Sequence, residues 1–112
     1  PYGITLGGDG QMWFTEKDGS RIGRITVLVP TINEFALPVP SSGPTGLCEG
    51  QDAAVWFVET DGNRLGQILQ TSAMGELPLK TPAAGAAHIA AGANNIIWFT
   101  LTSVDKLSFY HL

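Results

Sequence analysis

The pair Trp13-Phe14 returns as Trp56-Phe57 and again as Trp98-Phe99, at spacings of 43 and 42 residues. A fixed period of that length constrains a chain more than any local propensity, because each repeat must be one copy of a small unit stacked on the next. Other residues keep the same register: Gly7, Gly50 and Gly92, then Asp9, Asp52 and Asn94, then Arg21, Arg64 and Lys106, then Ile22, Leu65 and Leu107. Further on, Glu34-Phe35-Ala36-Leu37-Pro38 answers to Glu76-Leu77-Pro78-Leu79 at a displacement of 42, so one residue is lost between Ile68 and Glu76, in an expected loop.

A period of roughly 40–45 residues suits either four-stranded propeller blades or paired helices. Helices are excluded by content: every repeat carries several glycines and at least one proline, and apolar positions never recur at helical spacing. Met12-Trp13-Phe14-Thr15 and Ala54-Val55-Trp56-Phe57-Val58 combine aromatic and β-branched residues, which suit a pleated sheet. Adjacent Trp and Phe point to opposite faces of a strand, so each sheet carries a large ring on both sides and must be covered on both. The reading is all-β: three four-stranded antiparallel β-propeller blades, the last incomplete, over about 1–43, 44–85 and 86–112. Expected strands are Gly3–Leu6, Met12–Glu16, Ile22–Val27 and Ile32–Leu37; then Gly46–Glu49, Val55–Thr60, Leu65–Leu69 and Gly75–Leu79; then His88–Ala91, Ile96–Leu101 and Lys106–Tyr110. Gly8-Asp9-Gly10, Asp18-Gly19-Ser20 and Asp61-Gly62-Asn63 mark hairpins that need left-handed residues. The proline-rich stretches after Leu37 and after Lys80 read as blade connections.

Three blades do not close a ring, since propellers run from about four to eight. Two completions are open: self-association, three blades plus three as a homodimer, or a place within a longer six- or seven-bladed protein. The start at Pro1, with no initiator Met and no leader, suits a processed product or a piece of something longer. A net charge of −4, with six scattered Lys and Arg, argues against nucleic acid as partner. No apolar run approaches the ~18 residues of a membrane helix, so no membrane partner is expected and the chain reads as soluble, in either a cytoplasmic or a secreted setting. The lone Cys48 forms no internal disulfide, and no zinc-type spacing of Cys and His occurs.

Pro1-Tyr2-Gly3-Ile4-Thr5, Gly8-Asp9-Gly10-Gln11-Met12-Trp13-Phe14-Thr15-Glu16 and Arg21-Ile22-Gly23-Arg24-Ile25 together resemble the repeat of the streptogramin B (virginiamycin B) lyase family. The second repeat keeps Pro44, Gly46, Trp56-Phe57, Glu59 and Arg64-Leu65-Gly66-Gln67-Ile68, and the third keeps Trp98-Phe99 and Lys106-Leu107. The resemblance implies an antibiotic-resistance enzyme that opens a cyclic depsipeptide at its ester by elimination. In such a reaction a base removes the proton α to a carbonyl while Mg²⁺ polarises that carbonyl, so the carboxylate leaves without water being added. It implies a catalytic histidine directly after the repeat's proline and a glutamate at the end of W-F-T-E. Here Tyr2, Thr45 and Ala87 occupy the histidine position, while Glu16 and Glu59 occupy the glutamate position and Leu101 replaces it in the third repeat.

Glu16, Glu59 and His88 are therefore the candidate catalytic residues, with Glu16 and Glu59 also the candidate Mg²⁺ ligands and a cyclic peptide the expected ligand. Each has a plainer reading beside it. Glu16 and Glu59 also suit strand-end carboxylates paired with Arg21 and Arg64. His88 stands one residue past the family's histidine, in register with Gly3 and Gly46, and also suits a partly buried histidine satisfied by backbone groups. His111 lies at the terminus. Asp9, Asp52 and Asn94 suit hairpin caps better than calcium ligands, and the Trp-Phe pairs suit blade core better than a sugar platform. Cys48 reads as a small buried hydrophobe. The alternative to an enzyme is a non-catalytic propeller piece, or a secreted module, that acts by binding.

Overall fold

In a computed structural model, residues 1–26, 28 and 31–112 are described, and they form three antiparallel sheets and no helix. The first holds β1 (Ile4–Leu6), β2 (Met12–Glu16), β3 (Arg21–Thr26) and β4 (Thr31–Ala36) in sequential order. The second holds β5 (Pro44–Glu49), β6 (Val55–Glu59), β7 (Arg64–Ile68) and β8 (Met74–Pro78), again in order. The third holds β9 (Ala86–Ala91), β10 (Ile96–Leu101) and β11 (Lys106–His111). Each expected strand is present with its ends moved by a residue or two; Val27, the expected end of β3, lies outside the described residues. These are three propeller blades, the third with three strands among the described residues.

Alternation along the second strand of each blade decides how the blades stack. Trp13 turns toward blade 2 and joins Ile22, Leu37, Leu47, Val55, Phe57 and Ile68 in one buried cluster. Trp56 and Val58 turn the other way, into a second cluster with Leu65, Ala84, Ala86, Ile97, Phe99 and Leu101. Blade 2 is thus covered on both faces, and β6 is buried along its whole length. The outer faces of blades 1 and 3 leave large apolar side chains in solvent: Ile4, Leu6 and Ile32 are exposed on one, and Trp98, Leu107 and Phe109 on the other.

The recurring residues have identifiable work. Gly7, Gly50 and Gly92 lie under the three indoles, where a Cβ would come within 2.3, 2.7 and 2.6 Å of the ring. Asp9 accepts from the Gln11 amide at 3.0 Å and from the Trp13 indole at 3.1 Å. Asp52 repeats this with the Ala54 amide at 3.2 Å and the Trp56 indole at 3.1 Å. One aspartate therefore closes the hairpin and orients the core ring. In the second hairpin of each blade the left-handed residue is Ser20, Asn63 and Asp105, with φ of 53°, 53° and 55°. In the Asp18-Gly19-Ser20 and Asp61-Gly62-Asn63 turns, then, the glycine is not the left-handed residue.

Candidate functional site

Strand β6 carries Phe57 and Glu59 on the face turned toward blade 1. The Phe57 ring lies across Gly66 of β7, where a Cβ would sit 2.2 Å from it, so the ring's seat requires glycine. The Glu59 carboxylate leans over the same glycine, with Oε2 2.9 Å from that Cβ position. It therefore points outward along the blade toward Glu76 of β8, the residue paired with Gly66, rather than toward the inner strands. Ser42, in the connection arriving from blade 1, covers it from above and is itself held to Ser20 at 3.0 Å.

Glu59 is wholly buried, and neither of its oxygens receives a hydrogen bond from a fixed donor. Burial, then the facing Glu76 carboxyl, pushes its pKa up to about 8, against the opposing pull of Ser42 and Arg64. Two facing carboxyls resist ionising together, which adds to the effect of burial on Glu59. At neutral pH Glu59 holds its proton, which suits it to donate and not to act as a base.

Blade 1 repeats the arrangement without a cover. Glu16 faces away from blade 2, and burial followed by Glu34 raises its pKa, with Arg21 and the N-terminus opposing. Arg21 pairs with Glu34 at 3.6 Å, and that pair is half-exposed. Glu16 borders a polar hollow of about 220 Å³ together with Tyr2 and Lys17, whose ammonium lies 5.8 Å from the Tyr2 ring centre. Glu16 and Glu59 occupy the same face of successive blades, so the thickness of blade 1, roughly 10 Å, lies between them. They are not brought together. Among the described residues no three His, Cys, Asp or Glu side chains converge as a metal site. The donors present do not by themselves fit Mg²⁺: one carboxyl of the pair is protonated and Arg64 stands beside it.

The position after the repeat's proline is put to structural use. Thr15 Oγ1 accepts from the Gly3 amide at 2.9 Å and donates to the Thr45 carbonyl at 2.6 Å. The Thr45 hydroxyl shares a hydrogen bond with Thr60 at 2.8 Å, and Thr60 donates to the Ala86 carbonyl at 2.5 Å. These hydroxyls stitch the inner strands β1, β5 and β9 together. His88, expected to be partly buried on its plainer reading, is exposed beside the β9 bulge, with its amide donating to Thr100 Oγ1 at 3.1 Å. The bulge turns its side chain away from the cluster that Ile89 packs against. Burial, then Asp52, pushes the Cys48 thiol up to about 11, leaving it unreactive at neutral pH. Glu34, Glu76 and Ser42 escaped the sequence reading as site residues, although the recurrence of Glu34 and Glu76 opposite Gly23 and Gly66 was a signal for the first two.

A model of the Virginiamycin B lyase family matches residues 1–109. The chain belongs to this family. It is 40% identical to virginiamycin B lyase from Staphylococcus aureus, with a TM-score of 0.88, covering 100% of this chain and 41% of that one. A catalytically inactive histidine-to-alanine variant of the same enzyme, solved with quinupristin, matches at 39% identity and a TM-score of 0.88, covering 96% of this chain and 40% of that one. A streptogramin B lyase structure matches at 39% identity and 0.86, covering 97% of this chain and 39% of that one. The chain thus spans about 40% of the length of these lyases. A luciferin-regenerating enzyme, at 15% identity and a TM-score of 0.69, shares the fold. No curated protein matches the chain.

Proposed function

We propose that these three blades serve a virginiamycin B lyase-type propeller, whose completed ring opens the ester of a streptogramin B cyclic depsipeptide by elimination. The observation that carries this reading is 40% identity across the entire chain to a lyase, together with a quinupristin complex of a close variant of that lyase. Within it, the groups of this chain open to a ligand are Glu16 with Tyr2 in the polar hollow, and His88 on its exposed strand. Glu59 is closed to a ligand, buried between blade 1 and blade 2. Mg²⁺ enters this reading only from the family, with ligands from outside the residues described above.

The test is incubation of the chain with quinupristin, alone and with the remaining blades supplied as a co-expressed partner segment, followed by mass spectrometry. Elimination converts a ring into a linear chain of unchanged mass, whereas hydrolysis adds one water. The expected result is a mass-neutral linear product that a chelator suppresses and that appears only with the completed ring. A hydrolytic product, or turnover indifferent to chelation, would sink the reading.

A second reading has its own support. None of Tyr2, Thr45 and Ala87 is a histidine, and Thr45 is engaged between strands. A non-catalytic propeller that only binds a cyclic peptide would show saturable quinupristin binding by calorimetry with no linear product from the completed ring.

A further inference from the structure

Four residues share the face of blade 2 that is turned to blade 1. Glu59 pairs with Arg64 across β6 and β7, Glu76 pairs with Gly66 across β7 and β8, and Arg64 and Gly66 stand two apart on β7. In this group both Glu59 oxygens, Glu76 Oε2 and Arg64 Nε are buried without a hydrogen-bond partner. Nε–H can only donate, and the carboxyl oxygens accept unless they carry a proton. Buried polar atoms are bonded in the great majority of cases, so four exceptions on one covered face point to a species that bridges them.

The neighbouring protein groups do not supply that bridge. The Ser42 hydroxyl acts on Glu59 but has a single proton, and the Ser20 proton goes to the Val39 carbonyl at 3.1 Å. Ser42 therefore serves one carboxyl oxygen at most. Gly66 sends no side chain into the space, where a Cβ would stand 2.9 Å from Glu59 Oε2. The second interface offers the contrast: Leu101 and Ala84, both buried, take the places of Glu59 and Ser42, so neither position brings a polar side chain there.

The chemistry of the four atoms selects the bridging species. A metal cation would suit the carboxyl oxygens, but the guanidinium repels it and Nε–H has nothing to give it. An anion would suit Nε–H, but it meets two carboxyl groups. Water gives and takes hydrogen bonds at once, and a buried water with three polar partners is well placed. We propose that the interface between blades 1 and 2 holds a structural water that accepts from Arg64 Nε and bridges the Glu59 and Glu76 carboxyls. It ties β6, β7 and β8 together on the face that blade 1 covers, and the second Glu59 oxygen falls to Ser42.

A crystal structure of the chain, grown in sodium chloride and again in rubidium chloride, reads the site directly. The expected result is a peak of water-like density about 2.6–3.2 Å from a Glu59 oxygen, from Glu76 Oε2 and from Arg64 Nε, the same in both salts. Empty density, or Arg64 Nε bonded directly to a carboxyl, overturns the proposal. An anomalous rubidium peak there overturns it in favour of a cation. In solution, the Arg64 Nε–H resonance should show a cross-peak to a long-lived water in the parent chain. Glu76→Gln, which keeps an oxygen on the bridge, should retain that cross-peak, and Glu59→Leu, which copies Leu101 of the second interface, should lose it. Its absence from the parent, or its persistence in folded Glu59→Leu, also overturns the proposal; the parent crystal decides the matter even if that variant does not fold.

Discussion

The two interfaces between blades are built from the same repeat and solve the same packing problem with different chemistry. Between blades 1 and 2, Phe57 lies flat across Gly66 and a buried carboxyl, Glu59, fills the remaining space beside Glu76. Between blades 2 and 3, Ser108 replaces that glycine and Leu101 replaces that glutamate, and the sheet has three strands among the described residues. Phe99 and Leu101 are buried, yet both border the cleft. A buried acid is therefore not required for stacking blades. It accompanies a second acid, Glu76, at the first interface, and Leu101 takes its place at the second.

The largest difference should come from emptying the two phenylalanine seats. Phe57→Ala leaves an enclosed void between two covered sheets and should cost about 3–5 kcal/mol. Phe99→Ala enlarges a cleft that already opens to water, so the void contributes less and the loss should be about 2–3 kcal/mol. Urea unfolding followed by tryptophan fluorescence measures both. An equal or larger loss for Phe99→Ala would show that the second interface is as tightly closed as the first.

The next effect is electrostatic and belongs to the first interface alone. Glu59 has its pKa raised in the folded chain to about 8 from an ordinary 4.5, so between those values the folded state holds a proton that the unfolded state has released. Stability from this group is complete below pH 4.5 and is lost as pH rises through about 8. At about 1.4 kcal/mol per unit, the loss between pH 5 and pH 9 is on the order of 4 kcal/mol. Glu59→Gln should flatten that slope and leave the variant more stable than the parent at pH 9. A parent whose stability is level across the range would mean that the carboxyl ionises freely in the folded chain.

Much of this architecture was legible because it is local and repeated. Trp-Phe adjacency put a ring on each face of β2, β6 and β10, and the glycine-aspartate spacing located the hairpins, so the order of strands followed directly. The contents of the interfaces were not legible in the same way. Glu16 and Glu59 are the same letter in the same motif, yet one lines an open hollow and the other is sealed, because blade 1 covers the second and no described residue covers the first. His88 keeps the register expected of it, since β5 and β9 carry the same irregularity and His88 stands in the place of Gly46, but its exposure was not legible from register. The pairing of Arg21 with Glu34 instead of Glu16 has a similar origin: Glu34 sits diagonally across β3 and β4, a neighbour that a linear motif does not display.

The smallest contrast concerns the aspartate that holds each indole. Asp52 accepts from the Trp56 indole, from the Ala54 amide and from the Gln67 side chain at 3.0 Å, so Asp52→Ala strands a buried indole donor and loosens the hairpin in one step. That should cost about 1–2 kcal/mol, the usual penalty for leaving a buried donor unmade. Asn94 occupies the same place in blade 3, but Trp98 there is 38% exposed and packs on Phe109 at 5.3 Å, and water reaches its surroundings. Asn94 is left-handed, with φ of 60°, so Asn94→Gly, which keeps that backbone and removes the side chain, should change stability by less than about 0.5 kcal/mol. The same denaturation experiment ranks the two. If Asn94→Gly costs as much as Asp52→Ala, the turn residue matters through the hairpin alone and the indole bond contributes nothing. If only Asp52→Ala is felt, the repeated aspartate earns its place by fixing a ring that two blades bury, which is the feature that separates the covered interface from the open face.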